Sequence, residues 1–257
     1  GYIALPGTSG LPITFTTQGG GTLNSGNVTI PITYTPLATS AKGFNLIGNP
    51  YPSHLTWTKT FVDNNVSLIE PSIYYRTNAG SVNSGGDAAW SFKTYNSNTN
   101  EFSPAGTTNI IPPMQAFWVR VNAPVIASND TVGSIQFSNT MRAHKGTQTQ
   151  LGTSYNDGVL RTKSMVKPQV IRLQVSNGIN SDEAILYSNA SAINGYDDYD
   201  SPKMSNGNAA IPEIYTTAGT EKVAINGFNS LAQVTEVPLG FSTGQSNAFE
   251  IKATEIS

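Results

Sequence analysis

In the stretch Val28-Thr29-Ile30-Pro31-Ile32-Thr33-Tyr34-Thr35 every second residue is apolar, and threonine or proline fills the positions between. A β-strand turns successive side chains to opposite faces, so this spacing buries one face of an extended segment. Pro31 has no N–H to give to a ladder, which predicts an edge strand or a bulge at that point. The same alternation returns in Ile13 to Thr17, Ser134 to Phe137, Val170 to Val175, Val223 to Ile225, Val237 to Phe241 and Phe249 to Ala253. Turn clusters separate the runs: Gly19-Gly20-Gly21, Asn24-Ser25-Gly26-Asn27, Ser84-Gly85-Gly86-Asp87, Asn96-Ser97-Asn98-Thr99-Asn100 and Ser205-Asn206-Gly207-Asn208. Strands punctuated in this way predict an all-β chain with very little helix, built as two tandem β-sandwich modules of jelly-roll or Ig-like type.

Sustained 3.6-residue periodicity is missing. One short helix is expected after Thr56 as N-cap, over about Trp57 to Asp63, ending at Asn64-Asn65, which tolerate a left-handed cap. With 257 residues there is room for two ordinary domains. The boundary is placed where alternation lapses into Gly, Thr, Gln, Ser and Lys: a first module at 1–145, a linker or long loop at 146–167, and a second module at 168–257.

Only 12% of residues are charged and the net charge is −2, so there is no clustered Lys and Arg to attract nucleic acid or an anionic membrane. No apolar run approaches the roughly 20 residues of a membrane helix. The chain has no cysteine, which removes thiol nucleophiles, thiolate zinc sites and disulfides. Acid–base chemistry has only His54 and His144 to draw on. Neither sits in a two-histidine zinc motif, and no G-x-S-x-G nucleophile elbow occurs. Catalytic residues are therefore not assigned.

Two clusters remain as candidates. The acidic loop Gly195-Tyr196-Asp197-Asp198-Tyr199-Asp200-Ser201-Pro202 concentrates carboxylates that repel unless a cation or backbone donors offset them. Asp197, Asp198 and Asp200 read first as aspartates capping turns, and second as ligands of a structural calcium ion, which takes six to eight oxygens. A paired-carboxylate glycosidase site is the third reading. The other cluster is aromatic. In Gln115-Ala116-Phe117-Trp118-Val119-Arg120-Val121 alternation puts Phe117, Val119 and Val121 on one face and Trp118 with Arg120 on the other. Open to solvent, Trp118, Arg120, Trp90 and Tyr95 would make a stacking platform for sugar rings; covered by a second layer, they are core.

Several segments together resemble a known family. Gly43-Phe44-Asn45-Leu46-Ile47-Gly48-Asn49-Pro50-Tyr51-Pro52-Ser53 is similar to the "GWNLIGNPYPS" signature of large exported Bacteroidetes proteins carried by the type IX secretion system, with Phe44 where that family often has Trp. Ile111-Pro112-Pro113-Met114-Gln115-Ala116-Phe117-Trp118-Val119 resembles its "IPPGQGFFV" strand, and Phe137-Ser138-Asn139-Thr140-Met141-Arg142-Ala143-His144 its "F-x-N-x-M-R-x-H" segment. Farther on, the strand around Ile171-Arg172-Leu173 is followed by a "D-E-A-I-L-Y" run and a "Y-D-x-x-D-x-x-K" loop at Tyr196 to Lys203. The resemblance implies a β-rich accessory region without assigned catalysis, lying before the sorting domain of adhesins, gliding-associated proteins and secreted enzymes. It also implies a secreted or cell-surface location, with neighbouring domains of the same polypeptide and the secretion machinery as partners. The chain ends inside an apparent strand, so it reads as a fragment whose sorting tail is not included. Proline restricts both itself and its predecessor, so Gly48-Asn49-Pro50 and Tyr51-Pro52-Ser53 predict a tight irregular path after a buried strand.

The expected role is a non-catalytic structural or accessory segment of an adhesin or gliding-type protein. A carbohydrate-binding module for surface glycans, stabilised by calcium, is the alternative, and a glycoside hydrolase the third option.

Overall fold

The computed structural model describes residues 21–35, 42–82, 88–106, 108–122, 131–143 and 168–257. The expected strand at Ile13 to Thr17, the linker at 146–167 and His144 lie outside them. Within them the chain is all-β, with one short α-helix. The first half, to residue 143, holds β1 (Val28–Thr33), β2 (Phe44–Gly48), β3 (His54–Thr56), β4 (Ile69–Val82), β5 (Ala88–Asn96), β6 (Glu101–Ser103), β7 (Ile110–Ile111), β8 (Ala116–Val121), β9 (Thr131–Phe137) and β10 (Arg142–Ala143). The second half, from residue 168, holds β11 (Val170–Ser176), β12 (Ser181–Ser188), β13 (Ser201–Pro202), β14 (Glu213–Ala218), β15 (Glu221–Phe228), β16 (Leu239–Ser242) and β17 (Glu250–Ile256).

First-half strands form three antiparallel sheets, β1-β9, β10-β3-β7 and β2-β8-β4-β5-β6. Second-half strands form one sheet in the order β16-β14-β15-β12-β11-β17, with β13 also on β15. In that sheet β12 and β15 run parallel. Pro31 sits where its missing N–H costs least, on a strand whose one neighbour among the described residues is β9, with a register shift just beyond it at Ile32/Thr33.

The helix α1 (Lys59–Asp63) starts later than its sequence suggested. Thr56 stays in β3, paired with Ile110, and Thr58 is the cap, its hydroxyl accepting from the Phe61 N–H at 3.2 Å. Asn64 remains right-handed at φ −73°, and the Asn65 side-chain amide satisfies the Phe61 carbonyl at 2.8 Å in place of a left-handed cap. The helix buries Phe61 against Trp57 and Phe137, with ring centroids 4.9 and 5.4 Å away.

The two halves differ in their cores. The three first-half sheets enclose one large apolar cluster that includes Trp57, Ile73, Phe117, Val119, Ile135 and Phe137. The second half has two small clusters, one around Val170, Ile185, Tyr187 and Ile225, the other around Val175, Ala184 and Ile214. Apolar burial contributes roughly 25 cal/mol per Å², so the second half draws far less from this source than the first. What it gains instead is a seat on the first half. Ser72, Asn96 and Ser103 project from the face of the five-stranded sheet opposite its core. Ser72 Oγ meets Ser201 Oγ at 2.7 Å, Asn96 Nδ2 donates to the Asp200 carbonyl at 3.1 Å, and Ser103 Oγ donates to the Glu183 carbonyl at 2.9 Å.

Candidate functional site

Strand alternation decides which aromatic residues share a surface. Phe117, Val119 and Val121 are buried, and Trp118 and Arg120 turn to the other face of β8. That outer face is shared with Tyr74 on β4, which pairs with Trp118 and Thr94. Thr94, Phe92 and Trp90 follow one another at steps of two along β5, so all three lie there. Phe92 meets Trp118 edge to face at 5.4 Å, and the Arg76 guanidinium lies 5.3 Å from the Phe92 ring centre. Trp118, Phe92 and Trp90 are all half-buried residues.

Tyr95 does not belong to this row. It is 3% exposed and stacks on Phe102 in the core, with ring centroids 4.5 Å apart. Its odd separation from Trp90 along one strand places it on the opposite face, and the same count brings in Phe92, which the sequence reading passed over.

Arg120 is committed to the seam between the halves. Its guanidinium reaches Glu70 at 3.4 Å, Glu221 of the second half at 3.7 Å and the Tyr196 hydroxyl at 3.1 Å, and it donates through Nε to the Lys42 carbonyl. Burial works against both charges of the Glu70–Arg120 pair. For Arg120 the burial penalty is outweighed by Glu70, Tyr196, Tyr74 and Glu221, and its pKa is raised. For Glu70 burial prevails over the pull of Arg120 and Tyr196, and the carboxyl is pushed up to about 7. Glu70 Oε2 and the Tyr74 hydroxyl are buried without a hydrogen-bond partner among the described residues. This free oxygen gives the proton a place to reside.

A stability consequence follows. A carboxyl whose folded pKa exceeds its unfolded value favours the fold fully below the unfolded pKa, and that contribution is lost as pH rises through the folded one. For Glu70 the window runs from 4.5 to about 7. With about 1.4 kcal/mol per pKa unit, the change across it is about 3 kcal/mol at most. Urea midpoints of the wild type are expected to fall between pH 5 and pH 8, and Glu70→Gln to flatten that slope. An identical slope in the variant would assign the titration to another group.

The acidic loop is built inward. Asp197 accepts from the N–H groups of Ile193 and Tyr199 at 2.7 and 2.8 Å. Asp200 accepts from those of Asp197 and Gly227 at 2.8 and 2.9 Å. Gly227 is required here, because a Cβ at that position would run into the Tyr199 side chain and backbone. The Asp198 carbonyl takes the side-chain amides of Asn96 and Asn98. Two aspartates thus accept from four backbone N–H groups, the geometry of turn capping. Burial nevertheless pushes Asp200 up to about 7 against its two N–H donors, and raises Asp198 as well. Among the described residues no group of three His, Asp or Glu side chains is placed to hold a metal ion.

Two further ion-pair groups are built on the second half, and one of them crosses to the first. Lys203 grips both oxygens of Asp182 at 2.6 and 2.5 Å, and Asp182 also accepts from the Ile214 N–H. Arg172 on β11 bonds Glu183 at 3.0 Å and Glu255 at 2.7 Å, then crosses to the first half, where it meets Glu101 and the Phe102 carbonyl.

The segments around Asn49 also converge. Asn49 Nδ2 donates to the carbonyls of Ser53, Ile111 and Pro112 at 2.8, 3.0 and 3.0 Å, and Oδ1 accepts from the Tyr51 N–H at 3.0 Å. Arg142 donates to Ser53 Oγ at 2.8 Å and lies over the Tyr51 ring, while the Tyr51 hydroxyl holds the Gly26 carbonyl at 2.7 Å. Three separated stretches of sequence are therefore one clasp. His54, beside it in β3, pairs through its backbone with Ala143.

A family model described as a domain of unknown function, DUF8693, matches residues 1–257. No curated protein and no solved structure matches the chain. Since the match covers the whole sequence, the chain belongs to the DUF8693 family.

Proposed function

We propose that the chain is a non-catalytic structural and accessory segment of a secreted or cell-surface protein, exported by the type IX route, with two sandwich-type units in tandem. The observation that carries this reading is the commitment of its polar side chains to internal bonds. Asp182, Asp197, Asp200, Glu183, Arg120, Arg172 and Lys203 are all taken up in capping turns or in ion pairs at and beside the seam. Groups held in this way stiffen the junction, and stiffness serves a spacer between neighbouring domains. The test is cellular. Protease applied to intact cells should remove the parent polypeptide, and loss of type IX secretion should retain it in the periplasm. Retention inside secretion-competent cells would overturn the proposal.

The row Trp118, Phe92 and Trp90, flanked by Arg76, favours a second reading as a carbohydrate-binding face. Partly exposed rings on a sheet offer apolar surface to the C–H faces of sugars, with Phe92 and Trp118 set edge to face. On a glycan array Trp118→Ala should weaken any bound glycan by about tenfold or more, an effect of about 1.4 kcal/mol or above. Arg76→Ala should have a smaller effect. Equal binding by the Trp118 variant would remove this face as the site.

A further inference from the structure

Beyond the last packed rings on the core side of β4 and β5, a cleft of about 190 Å³ opens between the sheet and the segment that runs through Thr108, Pro112 and Gln115. The sheet wall is Tyr75, Thr77 and Lys93, with Tyr75 and Lys93 paired directly across the two strands. The hydroxyls of Tyr75 and Thr77 are buried, and neither has a hydrogen-bond partner among the described residues. Tyr75 is only 6% exposed, so water does not readily compensate its hydroxyl. Lys93 forms no ion pair among the described residues. One wall thus offers a cation and two unsatisfied hydroxyls. The opposite wall offers the Gln115 side chain, whose Nε2 donates to the Ala116 carbonyl and leaves its oxygen for a ligand. It also offers the Thr108 hydroxyl, which accepts from the Ile110 N–H, and the apolar ring of Pro112.

We infer that this cleft binds a small polyhydroxylated carboxylate of the uronic-acid class. Lys93 holds the carboxylate, Tyr75, Thr77 and Gln115 take ring hydroxyls, and Pro112 packs on the C–H face. A neutral sugar would leave the ammonium group unpaired, and a simple carboxylate would leave the hydroxyls unpaired. The site is separate from the aromatic row, which lies on the other face of the same sheet, and it does not rest on the structural reading above.

The experiment is a titration of the ¹⁵N-labelled full chain with sodium D-glucuronate, D-glucose and sodium acetate, followed by amide shifts. Glucuronate should give saturable shifts at Tyr75, Thr77, Lys93 and Gln115, with glucose and acetate about tenfold weaker or more. Lys93→Met should weaken glucuronate by about tenfold while leaving the rest of the spectrum in place. Thr77→Val should weaken it severalfold with the charge preference kept. The inference is overturned if glucuronate shifts no lining residue. Binding of glucose or acetate as tight as that of glucuronate, or unchanged affinity in Lys93→Met, overturns it equally.

Discussion

Arg172→Ala is expected to lower folding stability by about 3–5 kcal/mol at pH 8, the range for removing one partner from a buried ion pair. The side chain of Arg172 is 12% exposed and that of Glu183 5%, so neither charge can be handed back to bulk water when the other is lost. Burial already raises the carboxyls of Glu101 and Glu183, and Arg172 is the main group holding them down. Without it both rise further and their ionised forms destabilise the fold. By linkage the deficit is then largest above their folded pKa and shrinks as pH falls toward the ordinary carboxylate range. Glu255 is 45% exposed and adds little, since water screens it. The measurement is urea denaturation at pH 5 and pH 8. A loss below about 1 kcal/mol that is the same at both pH values would show that solvent replaces the guanidinium. Arg172→Lys keeps the charge but not the planar fork that reaches three carboxylates and a carbonyl, so an intermediate loss is expected. The variant should also loosen the coupling of the two halves, because Arg172 spans the seam, while the bonds of Arg120, Ser72, Asn96 and Ser103 across it remain.

Period-2 alternation made the strands legible where a sheet buries one face, as on β8, and the same spacing holds on β17 although all of its residues are exposed. The runs at Val28, Ser134, Val170, Val223, Val237 and Phe249 all fall on strands, with ends displaced by a few residues. Alternation is a local property and carries no partner information. It could not reveal that β12 and β15 pair in parallel across some 40 intervening residues, or that β1 takes β9. Thr58 displaced Thr56 as the helix cap because β3 claims Thr56 for its ladder, a tertiary demand that outranks local propensity.

The candidate sites divide along the same line. Trp118 and Arg120 share a face as their spacing requires, yet only three-dimensional structure shows that the second half closes over Arg120 and leaves Trp118 half open. Tyr95 could have been separated from Trp90 by counting positions along β5. The aspartate loop was legible as a set of turn caps, but its donors include Gly227, which no local pattern joins to Asp200. The cleft at Lys93 left no mark in the sequence, since one wall is ordinary strand residues of β4 and β5 and the other comes from the irregular segment through Thr108, Pro112 and Gln115.

Asn49→Ala is the second large effect, expected to destabilise by about 3 kcal/mol because several buried groups lose their partner at once. Asn49 is 8% exposed, and its two amide hydrogens serve three carbonyls, so at least one is shared. Its own N–H is bound to the Gln115 carbonyl at 3.0 Å, which keeps the backbone in place while the side chain is removed. The buried Ile111 carbonyl and the buried Tyr51 N–H would then lose their Asn49 partner, while the Pro112 carbonyl keeps the Gln115 N–H at 3.2 Å. Asn49→Asp tests the direction of the bonds. It preserves the acceptor for the Tyr51 N–H but sets a carboxylate against three carbonyl oxygens, so it should be worse than alanine at neutral pH and recover as acid neutralises it. Asn45 provides the comparison. It makes a similar set of bonds to Thr33 and Gly43 from a less buried position, where water can substitute, so Asn45→Ala should cost about 1 kcal/mol. If both alanine variants lose the same amount in chemical denaturation, burial is not what gives Asn49 its weight, and the clasp joining the three loops is held by Tyr51 and Arg142 instead.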